Sequence, residues 1–477
     1  MTALYFALAI MGFGAFLALQ PKVKALVSFI LMMQFFDAGP GQLFGMYVWD
    51  YGAMLMLVTG VEVYCRTPVL EAPTFTYLAV LKIFLTWLAI CFVWSLLVYR
   101  YPPLHTIKSA RQMVLGYFMT LIFIRLFRVQ PEAFEYLMKW IYRLTFALMP
   151  VVILQYVVHK PLLFGLVSEY EGVLRDVPVF FPLCLLNFWV IGTKILTSEK
   201  VAAHEWVYAV LALSTVALSF TRGIYISVMF TAAVLLYSTW RDGTLKASSL
   251  IAATAACLLA AVGLLATGLG DKVVGRAASG IDLLGSSETQ TIDKKRDDTF
   301  NGRLGLAMER FALVSAQNPL LGYGFIHEDD VPSEVRSRLK FGTPLGGTAE
   351  DPTAYSRTAA FTSYFILGFY TADIAWPDIV ISVGWVGAIL FVTLLISFIV
   401  GHYRYRNTAH PMGYAVKTGL YLQVVTMILL MFDGNYFYNS VHIPAFLLAG
   451  YSLASRRRVE AEMPKPAMQV RPANLLR

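Results

Sequence analysis

The sequence predicts an all-α polytopic membrane protein with about 12–14 transmembrane helices and one large helical extracytoplasmic loop. Three observations predict it. Hydrophobic residues make up 58% of the 477 positions and charged residues only 14%, against about 45–50% and about 25% in ordinary soluble chains. Apolar stretches long enough to cross a bilayer recur along the chain. One polar segment, residues 269–375, interrupts them and is far too long for a turn.

The apolar segments fall at roughly 3–19, 24–36, 44–64, 76–98, 111–128, 141–158, 178–195, 204–220, 223–239, 247–268, 376–400, 414–432 and 438–454. The first lacks a basic flank ahead of it and runs to Gln20–Lys22 without a small-residue cleavage site, so it reads as a retained span. The expected division is an N-terminal bundle of about 10 helices over 1–268, an extracytoplasmic (periplasmic) loop over 269–375, C-terminal spans over 376–454 and a cytoplasmic tail over 455–477. No internal repeat is evident, which argues against a transporter built from inverted halves.

The net charge of +8 does not mark a nucleic-acid binder. Its cations sit in short loops beside apolar runs: Lys22 and Lys24, Arg404 and Arg406, and Arg456 to Arg458. That distribution is an orientation signal, since short basic loops stay cytoplasmic while long loops cross largely regardless of charge. It puts 269–375 outside. Arg100, Lys108 and Arg111 also land outside, so either the span count shifts by one or these residues serve an anionic ligand.

Much familiar chemistry is missing. There is no phosphate-binding GxxxxGK[ST], no HExxH and no CxxC, and no Asp-x-Asp to hold a metal–nucleotide-sugar pair. The expectation is no cofactor and no metal. Cys65, Cys91, Cys184 and Cys257 lie in or beside apolar segments and read as packing residues.

The informative residues bracket the long loop. Upstream, Ser219-Phe220-Thr221-Arg222-Gly223 is a polar break between two apolar runs. Within the loop, Leu304, Met308, Phe311 and Leu313 are nearly helix-spaced. They predict an amphipathic helix capped by Asn301, with Arg303 in its first turn, and stopped by the Pro and Gly of Asn318-Pro319-Leu320-Leu321-Gly322-Tyr323-Gly324. Downstream, Asp373 and Asp378 flank the point of membrane re-entry ahead of Gly384-Trp385-Val386-Gly387.

The elements T-R-G (221–223), G-R followed by a helix and N-P-L-L-G-Y-G (302–324), and G-W-V-G (384–387) resemble the O-antigen ligase/polymerase superfamily over roughly residues 205–400. Two departures stand out. Leu304–Met308 lacks the Trp that usually follows G-R. Asp373 stands where ligases carry a His about eleven residues before G-x-x-G.

The resemblance implies a GT-C-like fold and transfer of a glycan from undecaprenyl diphosphate at the outer face of a bacterial inner membrane. It implies a nucleotide- and metal-independent reaction. The leaving diphosphate then calls for fixed cations, with Arg222, Arg303 and Arg310 as candidates. The acceptor hydroxyl needs a base, with Asp373 first and Asp378 second. Blander roles stand beside each: interfacial snorkelling for Arg222, capping or ion pairing within the loop for Arg303, a local pair with Glu309 for Arg310, and a helix cap for Asp373. Glu62, Lys82 and Arg125, inside apolar runs, are either functional or paired between helices. Tyr436, Phe437 and Tyr438 fit an interfacial aromatic belt.

The implied partners are the lipid-linked glycan, membrane lipid, and chain-length regulator or export proteins, with no nucleic acid. A polymerase of lipid-linked repeat units is the leading reading. A ligase to another acceptor, a lipid-linked oligosaccharide flippase and a non-catalytic scaffold are the alternatives.

Overall fold

The computed structural model describes residues 11–33, 48–65, 76–158, most of 162–251, 294–339, 344–345, 366–367, 369–370, 374–405, 413–431 and 450–451. These are overwhelmingly helical. In chain order the helices are α1 (Pro21–Met33), α2 (Val48–Cys65), α3 (Thr76–Leu97), α4 (Pro103–Val129), α5 (Glu132–Val158), α6 (Phe181–Leu196), α7 (Ala203–Leu218) and α8 (Arg222–Arg241). Then come α9 (Lys294–Gln317), the four-residue α10 (Ser333–Arg336), α11 (Ala375–Tyr405) and α12 (Gly413–Leu430). Two small antiparallel hairpins join them. One pairs β1 (Gly165–Tyr170) with β2 (Val173–Pro178), and the other pairs β3 (Pro344–Leu345) with β4 (Ile366–Leu367).

Among the described residues, five helices are long and apolar enough to cross a membrane: Tyr77–Leu97, Glu132–Gln155, Gly223–Arg241, Ala375–Gly401 and Gly413–Leu430. Pro103–Arg111 and Met113–Val129 make a sixth if that bent pair is one span. The chain is thus a polytopic membrane protein. The expected segments 247–268 and 438–454 lie almost wholly outside the described residues.

Lipid tails are as apolar as Leu, so helix association here rests on close packing and on polar contacts between helices. Both are present. A Cβ on Gly419 of α12 would come within 2.5 Å of the Val190 side chain on α6, so those two helices meet over a glycine. Lys24 of α1, buried, lies 2.5 Å from Glu62 of α2. Arg125, also buried, stacks its guanidinium over the Tyr64 ring at 4.7 Å. For Glu62 and Arg125, the contact between helices is the observed role. Lys82 lies exposed on the surface of α3.

Cross-bundle contacts set the direction of each helix. Trp87 bonds to the Val383 carbonyl while Tyr77 meets Phe398, so α3 and α11 are antiparallel. Tyr414 bonds to Asp242 and Thr426 to Thr231, so α8 and α12 are antiparallel as well. The Ala375 amide donates to the Met431 carbonyl at 3.2 Å, placing the start of α11 beside the finish of α12. By these contacts Arg222, Ala375 and the α3–α4 turn all sit at one end of the bundle, hereafter the loop end. Arg241 and the start of α12 sit at the other.

The α3–α4 turn is fastened to the polar segment: Tyr99 donates to the Gly322 carbonyl at 2.8 Å and His105 pairs with Asp330 at 2.8 Å. Arg100, Lys108 and Arg111 therefore lie at the loop end, the same end as Arg222. Arg111 is held by Asp50 at 2.7 Å, whereas Arg100 and Lys108 are exposed.

Candidate active site at the loop end

The site is built around a break in α11. Gly384 leaves the helical region, with φ 67° and ψ −175°, and splits α11 into a short first piece and a long second one. Such a break frees backbone groups, which a membrane protein tolerates only where other protein groups satisfy them. Here the loop after α9 does so. Tyr323 N–H donates to the Ile381 carbonyl at 2.8 Å, and Trp385 N–H donates to the Pro319 carbonyl at 2.9 Å. The Trp87 indole takes the Val383 carbonyl at 3.0 Å.

The sequence makes this contact possible through two glycines. A Cβ at Gly384 would stand 2.1 Å from the Leu320 carbonyl oxygen, and one at Gly322 would stand 2.3 Å from that of Ile381. Both also have positive φ, where any side chain is strained. N-P-L-L-G-Y-G and G-W-V-G thus form one backbone-to-backbone joint. Further clasps secure it: Asn318 donates to the Tyr99 hydroxyl, Phe325 N–H donates to Ser95 Oγ at 2.9 Å, and Trp385 donates to Ser315 Oγ at 3.0 Å.

The amphipathic helix ahead of the joint differs from the expectation in two ways. It starts at Lys294, so Asn301 lies inside it and is not the N-cap. The preceding Lys and Arg residues propagate a helix well, and nothing in 294–300 stops one. Its buried stripe is Leu306, Arg310 and Val314, while Leu304 and Met308 are 52% and 59% exposed. That stripe has helical spacing, but an arginine occupies its middle position and hides it from an apolar pattern.

Arg310 is fully buried. Its Nε donates to the Phe369 carbonyl at 2.9 Å, and Nη1 pairs with Glu309. Burial lowers its proton affinity, while the charges of Glu309, Asp378 and Glu328 act in the opposite direction. Asp378, in the first turn of α11, is 3% exposed and close enough to act on that guanidinium. Glu328 accepts from the Phe369 and Tyr370 amides at 2.7 and 3.3 Å and from Arg336 at 3.1 Å. Burial also pushes the Tyr101, Tyr323 and Tyr370 phenols up, so they remain neutral donors. The Tyr370 hydroxyl donates to the Ile326 carbonyl at 2.8 Å.

The structure therefore gathers buried Arg310 and Asp378 with half-buried Glu309 and Glu328 into one charge group. Arg222 opens α8 at the same end of the bundle, after the buried N-cap residue Thr221. Arg303 lies in the first half of α9, two turns before Arg310. Asp373 lies outside the described residues, one residue ahead of Ile374, from which the chain enters α11.

Sequence reasoning missed Tyr99, Ser95, Glu328 and His105 as parts of this assembly. A charge run at 328–330 was visible, but nothing local says that Glu328 binds the backbone at 369–370.

Comparison with curated proteins gives no match. The family model described as O-Antigen ligase matches residues 207–392. Its span runs from α7 through α8, α9 and the docked loop to the second piece of α11, so this part of the chain is similar to the O-antigen ligase/polymerase-like superfamily.

Proposed function

We propose that this protein polymerises oligosaccharide repeat units carried on undecaprenyl diphosphate, at the periplasmic face of a bacterial inner membrane, in surface or exopolysaccharide synthesis. One observation carries the reading. The matched segment 207–392 contains all three motif elements, and two of them meet in a single joint at the end of the bundle where α8 presents Arg222. The cation-rich short connections at the opposite end, around Arg241 and Lys246, fit a cytoplasmic face there.

In the proposed reaction an acceptor sugar hydroxyl attacks the anomeric carbon of the donor. The bond from that carbon to the diphosphate oxygen breaks, and its electron pair stays on the diphosphate. Arg222 and Arg303 grip the developing charge with planar guanidinium forks. Arg222 gains from its place at a helix N-terminus, where the backbone dipole also favours an anion. Asp373 takes the proton of the attacking hydroxyl. Neither nucleotide nor metal takes part.

Arg310 and Asp378 act in this scheme by position. They are enclosed, and Arg310 is committed to Glu309 and Phe369, so they hold α9, the loop and the start of α11 in register beneath the diphosphate. A chain-length regulator or export protein would dock on the same face.

The test uses purified protein in lipid with an undecaprenyl-diphosphate oligosaccharide, read on a glycan gel. A ladder that disappears in Arg303→Ala and Asp373→Asn supports the proposal. A single transfer to an added acceptor makes the protein a ligase with the same donor chemistry. No transfer from the native donor removes the enzyme reading in favour of transport or scaffolding.

A further inference from the structure

At the loop end, beside the joint and outside the matched segment's three motifs, two imidazoles lie face to face. His105, in the first turn of α4, and His327, in the loop, have ring centroids 4.7 Å apart at 31°. Asp330 holds Nδ1 of His105 with oxygens at 2.8 and 3.0 Å. Asp329 lies against His327, with Oδ2 3.3 Å from Nδ1. Ligand atoms of His105, His327 and Asp329 all lie within 4.8 Å of one another.

We infer that His105, His327 and Asp329 form a binding site for a zinc-like divalent cation that staples the docked loop to the head of α4. Two imidazoles and a carboxylate, with water in the fourth place, are a normal tetrahedral zinc set. Its bonds of about 2.0–2.2 Å put ligand atoms about 3.4 Å apart. The closure required is on the order of 1 Å, and Asp329, 74% exposed, can supply its share by a rotamer change. Asp330 already occupies the place of the outer-sphere carboxylate that orients a metal-bound imidazole and raises its basicity.

The ligands come from distant parts of the chain, so binding couples loop to bundle. The loop that carries His327 is the one whose Gly322 and Tyr323 close the break in α11. None of the three ligands is among the residues proposed to hold the diphosphate, and the inference stands whether or not the glycosyltransferase reading does.

The experiment uses full-length protein in lipid nanodiscs, with its affinity tag removed and metal stripped by chelator. Cobalt(II) is titrated to follow its visible absorption, and zinc content is then measured by mass spectrometry. Wild type is expected to take up one equivalent with the intense band of tetrahedral cobalt and to gain thermal stability on adding zinc. His327→Gln and His105→Ala are expected to bind at least about 10-fold more weakly, and Asp330→Asn about 10–100-fold more weakly. His204→Ala, at the far end of the bundle against Tyr142, should bind as wild type does. Should His105→Ala fail to fold, His327→Gln decides the matter, because the His105–Asp330 pair is intact in it. Absence of stoichiometric uptake by wild type overturns the inference. So does uptake that His327→Gln leaves unchanged, which assigns the metal to an adventitious site.

Discussion

Between the N-terminal helices charge answers charge, whereas around the joint charge also holds backbone. Lys24 meets Glu62 at 2.5 Å and Arg111 meets Asp50 at 2.7 Å, side chain to side chain. Around the joint, Arg310 donates to the Phe369 carbonyl, Arg336 to the Glu328 carbonyl, and Glu328 accepts two amides. The first arrangement fixes helix neighbours, and losing one partner takes an ion pair from a buried or half-buried charge. The second arrangement shapes irregular chain, and losing one member releases a stretch of backbone. The bundle's charges thus join helix to helix, and the loop's charges hold the chain around the joint.

The sharpest break in that contrast is Lys24→Ala. It leaves Glu62 without its ammonium partner, and breaking a buried pair costs about 3–5 kcal/mol. Unfolding in detergent, followed by circular dichroism, should show that loss, while transfer per folded molecule stays near wild type. Replacing both residues, Lys24→Met with Glu62→Leu, should recover most of the stability.

Gly384→Ala should act the other way round. Its strained φ costs about 1–3 kcal/mol before any clash is counted, and the added Cβ pushes the Leu320 carbonyl off the break. We expect glycan transfer to fall by about 100-fold, equivalent to about 2.7 kcal/mol in the barrier, with the helical signal retained. Gly322→Ala should behave alike, because it enters the same joint from the other side.

Glu328→Gln removes the charge from an acceptor of two amides and a guanidinium. A charge-assisted bond contributes about 1.5–3 kcal/mol, so the local loss should be about 2 kcal/mol. Limited proteolysis should then cut near residues 366–370 faster, with little change in the melting of the bundle. The smallest effect is expected of Arg310→Lys, which keeps the charge but has no fork to span Glu309 and Phe369. Transfer should drop about 10-fold, without the collapse expected of Arg310→Ala, which strands Glu309.

The polytopic helical class was legible because membrane spans need long apolar runs, and composition alone excluded a soluble chain. The two halves of the joint were legible too, since N-P-L-L-G-Y-G and G-W-V-G can be read locally. The break at Gly384 was not: residues 376–400 read as one uninterrupted span, and only the loop's carbonyls and amides reveal why the helix opens there. The buried stripe on α9 was misread for a related reason. Leu304 and Met308 are apolar yet exposed, while the buried position between Leu306 and Val314 is an arginine whose partners are Glu309 and the distant Phe369. Pairings such as His105–Asp330 and Tyr99–Gly322 carry no local signal, because they depend on how the fold returns the loop to the α3–α4 turn.

In the proposed reaction a framework of docked backbone and buried charge offers Arg222 and Arg303 to a lipid-linked diphosphate. Its most direct test is the binding of undecaprenyl diphosphate to wild type, Arg222→Ala, Arg303→Ala and Lys24→Met/Glu62→Leu in nanodiscs at fixed ionic strength. We expect at least about 10-fold weaker binding for each arginine variant, or about 1.4 kcal/mol, and wild-type binding for the bundle variant. Undiminished binding in both arginine variants would contradict it.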